Sequence, residues 1–316
     1  MLNIEHFEQI SLDGTWRFQL LHSPTEKIGK RWASIPVPGL WTMQEPSEVF
    51  FDRPIYTNVQ MPFEEQPPFV PAENPTGVYE RDFDVPKSWS GKRIVLQVGG
   101  YESVALVYIN GQEVGLSKDS RLAAEFDVTN FVQSGNNVLR IDVTKWSDAT
   151  FIEDQDQWWH GGITRSIKLY ATNKVFIEKF AAIAGLEKDL STGTLDVRAK
   201  ISSIDNESTD GYSLHLAIRE LPKVKSASIS ALLKNFVPPI WTETPEEVAL
   251  AARDYFHAKF WNGNLPQSAK TAVSIMEPPP HGEIALQTKV SKIKAWSAEE
   301  PNLYTLDIEL RNPEGA

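Results

Sequence analysis

Between Ala105 and Gly115 two short apolar runs flank the pair Asn110-Gly111. Both residues tolerate positive φ, as the central positions of a type I′ hairpin demand, so this stretch reads as two antiparallel strands joined by a tight turn. The rest of the first half repeats the theme of short alternating strands punctuated by turns, the pattern of an antiparallel sandwich or barrel. After Gly135-Asn136-Asn137, for example, Leu139, Ile141 and Val143 alternate with Arg140, Asp142 and Thr144. One face of such a strand is apolar and the other wet. Ile167-Lys168-Leu169-Tyr170 continues in the same style, and the polar run Ala171 to Lys174 marks a junction near residue 172.

Beyond the junction, alternation returns in Leu195, Val197, Ala199 and Ile201, in Tyr212, Leu214, Leu216 and Ile218, and in Tyr304, Leu306, Ile308 and Leu310. A second sandwich is expected there. One stretch departs from it: Thr244-Pro245-Glu246-Glu247 leads through Val248 to Trp261 and then Asn262-Gly263. A Thr N-cap, Pro in the first turn, early acids and a closing Asn-Gly predict a helix. We read residues 221–285, which include Pro278-Pro279-Pro280, as a surface insertion. The last strand runs into the turn Arg311 to Ala316 without a returning partner, from which we expect a C-terminal truncation.

A chain of 316 residues, 41% hydrophobic and 23% charged, has ordinary globular composition and length for two domains. With no cysteine it can form neither disulfides nor thiolate zinc sites, which suits a reducing compartment, so the cytoplasm is expected. The acidic start Met1 to Glu8 does not resemble a signal peptide. No window approaches the apolar length of a membrane helix, so a soluble protein is expected. A net charge of −11 without a basic run argues against nucleic acid and leaves a neutral ligand unaffected.

No Gly-rich phosphate loop, His-Glu-x-x-His pair or Gly-x-Ser-x-Gly elbow is present in the sequence. The six histidines, at 6, 22, 160, 215, 257 and 281, lack metal-ligand spacing. Glu153-Asp154-Gln155-Asp156 is an acidic cluster too local to be assigned the two carboxyl groups of glycoside hydrolysis, which stand about 5–10 Å apart across a cleft. By pattern alone it reads as a solvated loop.

Seven strings, in order and with consistent spacing, resemble the N-terminal region of family 2 β-galactosidases. They are Ser11 to Phe18 (SLDGTWRF), Pro54 to Val59 (PIYTNV), Pro67 to Gly77 (PPFVPAENPTG), Asp119-Ser120-Arg121, Trp146-Ser147-Asp148, Phe151 to Trp159 (FIEDQDQWW) and Trp296 to Tyr304 (WSAEEPNLY). The resemblance implies an all-β chain, with a jelly-roll, galactose-binding-like sandwich over residues 1–172. An immunoglobulin-like sandwich over 173–316, carrying the insertion and truncated, would follow. The family's catalytic (β/α)₈ barrel takes about 250 residues. It does not fit into the 144 residues from 173 to 316, so the acid/base and nucleophile glutamates would lie beyond residue 316.

By motif position the resemblance implies that Asn74 and Asp156 contact galactosyl hydroxyls, and that Asp156 is one ligand of a sodium ion. A carboxylate accepts charge-assisted hydrogen bonds and an amide both donates and accepts, so the pair suits a hydroxyl pattern. Taken alone, Asn74 before Pro75 is also an ordinary turn residue. Glu153 and Asp154 are expected to fix the loop, while Trp158 and Trp159 could wall the site or serve as core rings. Sodium and magnesium are implied for the complete enzyme, as is a homo-oligomer. Gly162-Ile163-Thr164-Arg165-Ser166 departs from the commonest family pattern, which points to a subgroup. The expected function is the N-terminal part of a retaining enzyme acting on terminal β-D-galactosides such as lactose, with this chain alone inactive. The alternatives are a stand-alone carbohydrate-binding or assembly module, and a family member acting on glucuronides or mannosides.

Overall fold

The structure, a computed structural model, describes residues 6–58, 60–205, 207–220 and 283–315. The chain divides into two compact units, Met1–Lys174 and Val175–Ala316.

In the first unit a four-stranded sheet runs in the order β1 (Glu8–Ser11), β15 (Ile167–Thr172), β7 (Arg93–Val98) and β11 (Ala124–Asp127). A six-stranded sheet runs in the order β10 (Gln112–Ser117), β9 (Val104–Ile109), β12 (Gly135–Thr144), β6 (Thr76–Val85), β2 (Gly14–Leu21) and β3 (Ala33–Val37). The ladders are antiparallel, and one core joins the two sheets. Leu139, Ile141 and Val143 of β12 meet Ala105, Val107 and Ile109 of β9 there, all fully buried as their alternation requires. Ile94, Leu96, Val98, Ile167 and Leu169 face them from the smaller sheet. Burying a large apolar side chain contributes about 1.5–3 kcal/mol, so Trp16, Phe18, Trp41 and Tyr79, all buried, weigh heavily in this core.

The β9–β10 hairpin turns at Asn110 (φ 52°) and Gly111 (φ 79°), the positive pair that a type I′ turn needs. The Ser11 to Phe18 string locks the seam between the sheets. The indole of Trp16 and the guanidinium of Arg81 donate to the Leu12 carbonyl at 2.8 and 2.9 Å, and the Asp13 carboxylate accepts the Ile167 amide at 2.9 Å.

Two small sheets complete this unit and carry the site described below. One runs β4 (Gly39–Leu40), β14 (Gly162–Ile163), β8 (Tyr101–Glu102), and the other pairs β13 (Gln157–Trp159) with β5 (Ile55–Thr57). Gly161 lies against the face of Trp41, where a Cβ would stand 2.1 Å from Cζ2 of the indole.

In the second unit β16 (Val175–Leu186), β17 (Thr192–Ser203) and β19 (Glu283–Ser291) form one antiparallel sheet, and β18 (Ser213–Glu220) pairs with β20 (Tyr304–Arg311) in another. Leu195, Val197, Ala199 and Ile201 of β17 and Leu286 of β19 share a core with Leu214 and Leu216 of β18 and with Leu306, Ile308 and Leu310 of β20. This is the second sandwich expected from the three alternating runs. The Trp296 to Tyr304 string ends a loop held by Asn302, whose amide donates to the Ala295 carbonyl at 2.8 Å.

The helix expected from Thr244 to Trp261 lies outside the described residues. The insertion's expected end at 285 needs correction, because β19 begins at Glu283 and its backbone pairs Ile284 with Ala199 and Ala285 with Arg198. Glu283 at the head of this strand reads as loop in the sequence and hid its start.

Candidate functional site

The register of one ladder starts the site. β12 and β6 pair until Thr144 stands opposite Thr76, and the next amide, Lys145 N–H, donates to the Pro75 carbonyl at 3.0 Å. One residue further, Asn74 lies beside Trp146. Its Nδ2 donates to the Trp146 carbonyl and its Oδ1 accepts the Trp146 amide, both at 2.9 Å. Asn74 is 4% exposed, so its amide clips two buried chain segments and retains one N–H and one lone pair.

Lys145 points the other way, into the protein. Its ammonium donates to both Asp52 oxygens at 2.8 Å and to the Arg53 carbonyl at 3.2 Å, and Asp52 also accepts the Trp41 indole N–H at 2.8 Å. Lys145 is only 2% exposed, and burial pushes its pKa down while Asp52 opposes the shift. Ser147 then opens a short turn, Asp148–Phe151, through a reciprocal capping box with Thr150. Lys118 grips Asp148 at 2.7 and 2.8 Å from outside.

The acidic cluster follows. Glu153 accepts the Ser120 amide at 3.0 Å and its hydroxyl at 2.5 Å, so it does fix the loop, using the buried serine of the Asp119-Ser120-Arg121 string. Asp156 stays on the surface, where its Oδ1 accepts the Tyr56 hydroxyl at 2.7 Å. That hydrogen bond, with the charge of Asp156, raises the Tyr56 pKa above its ordinary value.

β13 and β5 place Trp158 directly opposite Tyr56, ring centroids 5.5 Å apart and tilted by 41°. Alternation along β13 divides the two tryptophans. Trp158 is 54% exposed, whereas Trp159 is 5% exposed, donates its indole N–H to Thr57 at 2.8 Å and meets the Trp146 ring edge-on. Phe63 closes the other side of Trp146 and touches Phe151. His160 continues the chain below, its Nδ1 3.0 Å from the Thr42 hydroxyl and its amide donating to Glu102 at 3.2 Å; burial lowers its pKa.

Five of the seven strings therefore meet here. The contacts link Asn74 to Asp156 through Trp146, Trp159 and β13, with Asn74 buried at the base and Asp156 presented on the surface beside two exposed rings. Sequence reasoning missed Asp52, Lys145 and Trp41, which share no string, and gave Tyr56 no role although it sits inside one. Lys145 immediately precedes Trp146-Ser147-Asp148, but no local signal says that its charge turns inward.

Chemically, the exposed rings of Tyr56 and Trp158 offer planes against which sugar C–H faces stack, and Asp156 offers hydroxyl acceptors beside them. The carboxylate of Asp156 is also hard oxygen of the kind a monovalent cation takes. Among the described residues no group of three or more His, Cys, Asp or Glu could hold a metal ion. No helix among the described residues is long and apolar enough to cross a membrane.

Comparison with known proteins agrees with this architecture. The family model described as "Glycosyl hydrolases family 2, sugar binding domain" matches residues 9–173, and that described as "Glycosyl hydrolases family 2" matches 257–316, starting inside the segment read as an insertion. A β-galactosidase of Psychromonas ingrahamii is 31% identical over 318 residues, covering 98% of this chain and 26% of its own length. The chain thus spans about a quarter of that relative. Among solved structures, a putative β-galactosidase from Bacteroides fragilis superposes with a TM-score of 0.62 at 16% identity, covering 96% of this chain and 38% of the other. A β-glucuronidase from an uncultured Clostridium does so at 0.57 and 18%, covering 98% and 44%. At such identities these two show the fold alone. With the sugar-binding family model spanning the whole first sandwich, the chain belongs to family 2 of the glycosyl hydrolases.

Proposed function

We propose that this chain is the N-terminal part of a retaining β-galactosidase and supplies galactose-binding groups to an active site completed by a catalytic barrel elsewhere in the polypeptide. The observation that carries this reading is the presentation of Asp156. In a neighbourhood where Asn74, Glu153, Asp52 and Ser120 are tied to groups of the interior, this carboxylate is exposed beside two exposed aromatic rings, with one hydrogen bond to Tyr56. The relatives' names supply the galactoside; lactose is the substrate proposed.

In the proposed reaction a raised-pKa glutamic acid protonates the leaving oxygen and a second glutamate attacks the anomeric carbon, both outside this chain. The chain alone is therefore inactive. Its own residues hold the sugar: Asp156 accepts from galactosyl hydroxyls, and the remaining N–H and lone pair of Asn74 contribute from below. Asp156 is also the chain's one proposed ligand to sodium, which when bound would add a positive charge beside the sugar hydroxyls. Magnesium would be held elsewhere in the complete enzyme. A homo-oligomer in the cytoplasm fits the family and the absence of cysteine.

The test is Asp156→Ala in the complete polypeptide. A charge-assisted hydrogen bond is worth about 1.5–3 kcal/mol, so kcat/KM for a β-galactoside should fall by roughly tenfold or more. Wild-type kinetics would remove Asp156 from the site. The ring pair also favours a second reading, a stand-alone carbohydrate-binding module. Calorimetric titration of this chain with galactose separates the two, since binding tighter than about 1 mM, near −4 kcal/mol, would favour the module.

A further inference from the structure

We infer that Tyr56 is a positioning residue for Asp156, fixing one carboxylate rotamer so that Oδ2 and the free lone pair of Oδ1 face the sugar or its cation. The inference rests on the proposed role of Asp156 and concerns a residue to which that reading assigns nothing.

An aspartate on an exposed loop has several side-chain rotamers, and a ligand that needs one of them must pay for freezing the rest. Asp156 has a rigid neighbour that does this in advance. The Tyr56 hydroxyl donates to Oδ1 at 2.7 Å across 100 residues of sequence. A carboxylate that accepts one hydrogen bond on a single oxygen retains three of its four acceptor positions.

The phenol is itself held in place. Tyr56 is the middle residue of β5, paired by backbone with Trp158, and the Trp158 ring leans on its ring. The next residue, Thr57, points to the opposite face and accepts the indole N–H of buried Trp159, which anchors the strand to the protein interior. From the other end, Glu153 and Ser120 pin the loop that delivers Asp156. Both partners of the hydrogen bond thus sit on anchored backbone, the arrangement by which a binding constellation is preorganised.

The experiment is a double-mutant cycle in the complete polypeptide, with Tyr56→Phe, Asp156→Asn and the double variant assayed for kcat/KM on a β-galactoside and for the sodium concentration that half-saturates activity. Tyr56→Phe keeps the ring and its contact with Trp158, so thermal unfolding should be unchanged. The expected result is a five- to tenfold fall in kcat/KM with a higher half-saturating sodium concentration for Tyr56→Phe, and a double variant no worse than Asp156→Asn alone. An impaired Asp156→Asn beside a wild-type Tyr56→Phe, or losses that multiply in the double variant, would overturn the positioning role and leave the function of Asp156 standing. A wild-type Asp156→Asn would instead overturn the role of Asp156 in the site, and the inference with it.

Discussion

Removing the charge of Asp52 tests how the base of the site is held. Its side chain is 10% exposed and that of Lys145 1%, and the two oxygens of Asp52 take two of the ammonium's three hydrogen bonds. Asp52→Asn preserves the shape and one acceptor but leaves a buried ammonium facing a neutral group. Breaking a buried pair from one side costs about 3–5 kcal/mol, because the remaining charge stays desolvated without its counter-charge. Lys145→Met should cost less, since the carboxylate left behind keeps the Trp41 indole N–H at 2.8 Å and is nearer to solvent. The double variant Asp52→Asn, Lys145→Met should recover much of the loss, as it removes both charges together. Urea unfolding of the chain followed by tryptophan fluorescence measures all three. Seven of the ten tryptophans lie in the first unit, so the signal reports chiefly on the sandwich that contains the pair. An Asp52→Asn variant within about 1 kcal/mol of wild type, or a double variant worse than both singles, would refute the assignment of a desolvated, mutually dependent pair.

Three further outcomes are expected. Asn74→Ala strips both the donor and the acceptor from the buried main chain of Trp146 and should destabilise the first unit by about 3 kcal/mol in the same assay, independently of any sugar. Gly161→Ala drives a methyl group into the indole of Trp41 and should cost about 3 kcal/mol, visible as a lowered Tm. Asp142, half-buried on β12, has its pKa raised from 3.8 to about 6, by burial first and against the pull of Arg140. Its charged form therefore opposes folding: the favourable term is complete below pH 3.8 and is lost as pH rises to about 6. Asp142→Asn should then be more stable than wild type by about 3 kcal/mol at pH 7.5 and equal to it near pH 3.5, when followed by urea titration at the two pH values.

What the sequence revealed and what it hid divide along a physical line. The Asn110-Gly111 hairpin and the alternation of Leu139, Ile141 and Val143 are local properties, and each was legible because a two-residue period or a positive-φ pair has few structural solutions. The pairing of Asp52 with Lys145 spans 93 residues, and that of Tyr56 with Asp156 spans 100, so neither leaves a local trace. The two tryptophans could not be apportioned from sequence because β13 has three residues, too few to show a phase. The start of β19 was misplaced for a related reason, as Glu283 at its head reads as part of a polar loop.

The strings that carry the family resemblance also differ in what their residues do, and exposure separates them. Ser120, Trp159 and Asn302 are buried and hold the loops they come from, and the buried Asn74 amide clips the Trp146 main chain with one donor and one acceptor. Asp156, Tyr56 and Trp158 come from the same strings and yet are held at the surface, which a core role does not require. Exposing two large rings beside a carboxylate gains nothing for the stability of this unit, because the rings would contribute more if buried. On the proposed reading they serve something outside the unit, the sugar itself or the remainder of the active site. The buried partners are what keep that surface in one shape: Asn74 fixes Trp146, Trp146 backs Trp159, and Trp159 anchors the strand that carries Tyr56. A substitution at Trp146 or Trp159 should therefore reach the sugar through stability and loop position, one at Tyr56 through Asp156, and one at Asp156 directly, the last two with the fold left intact.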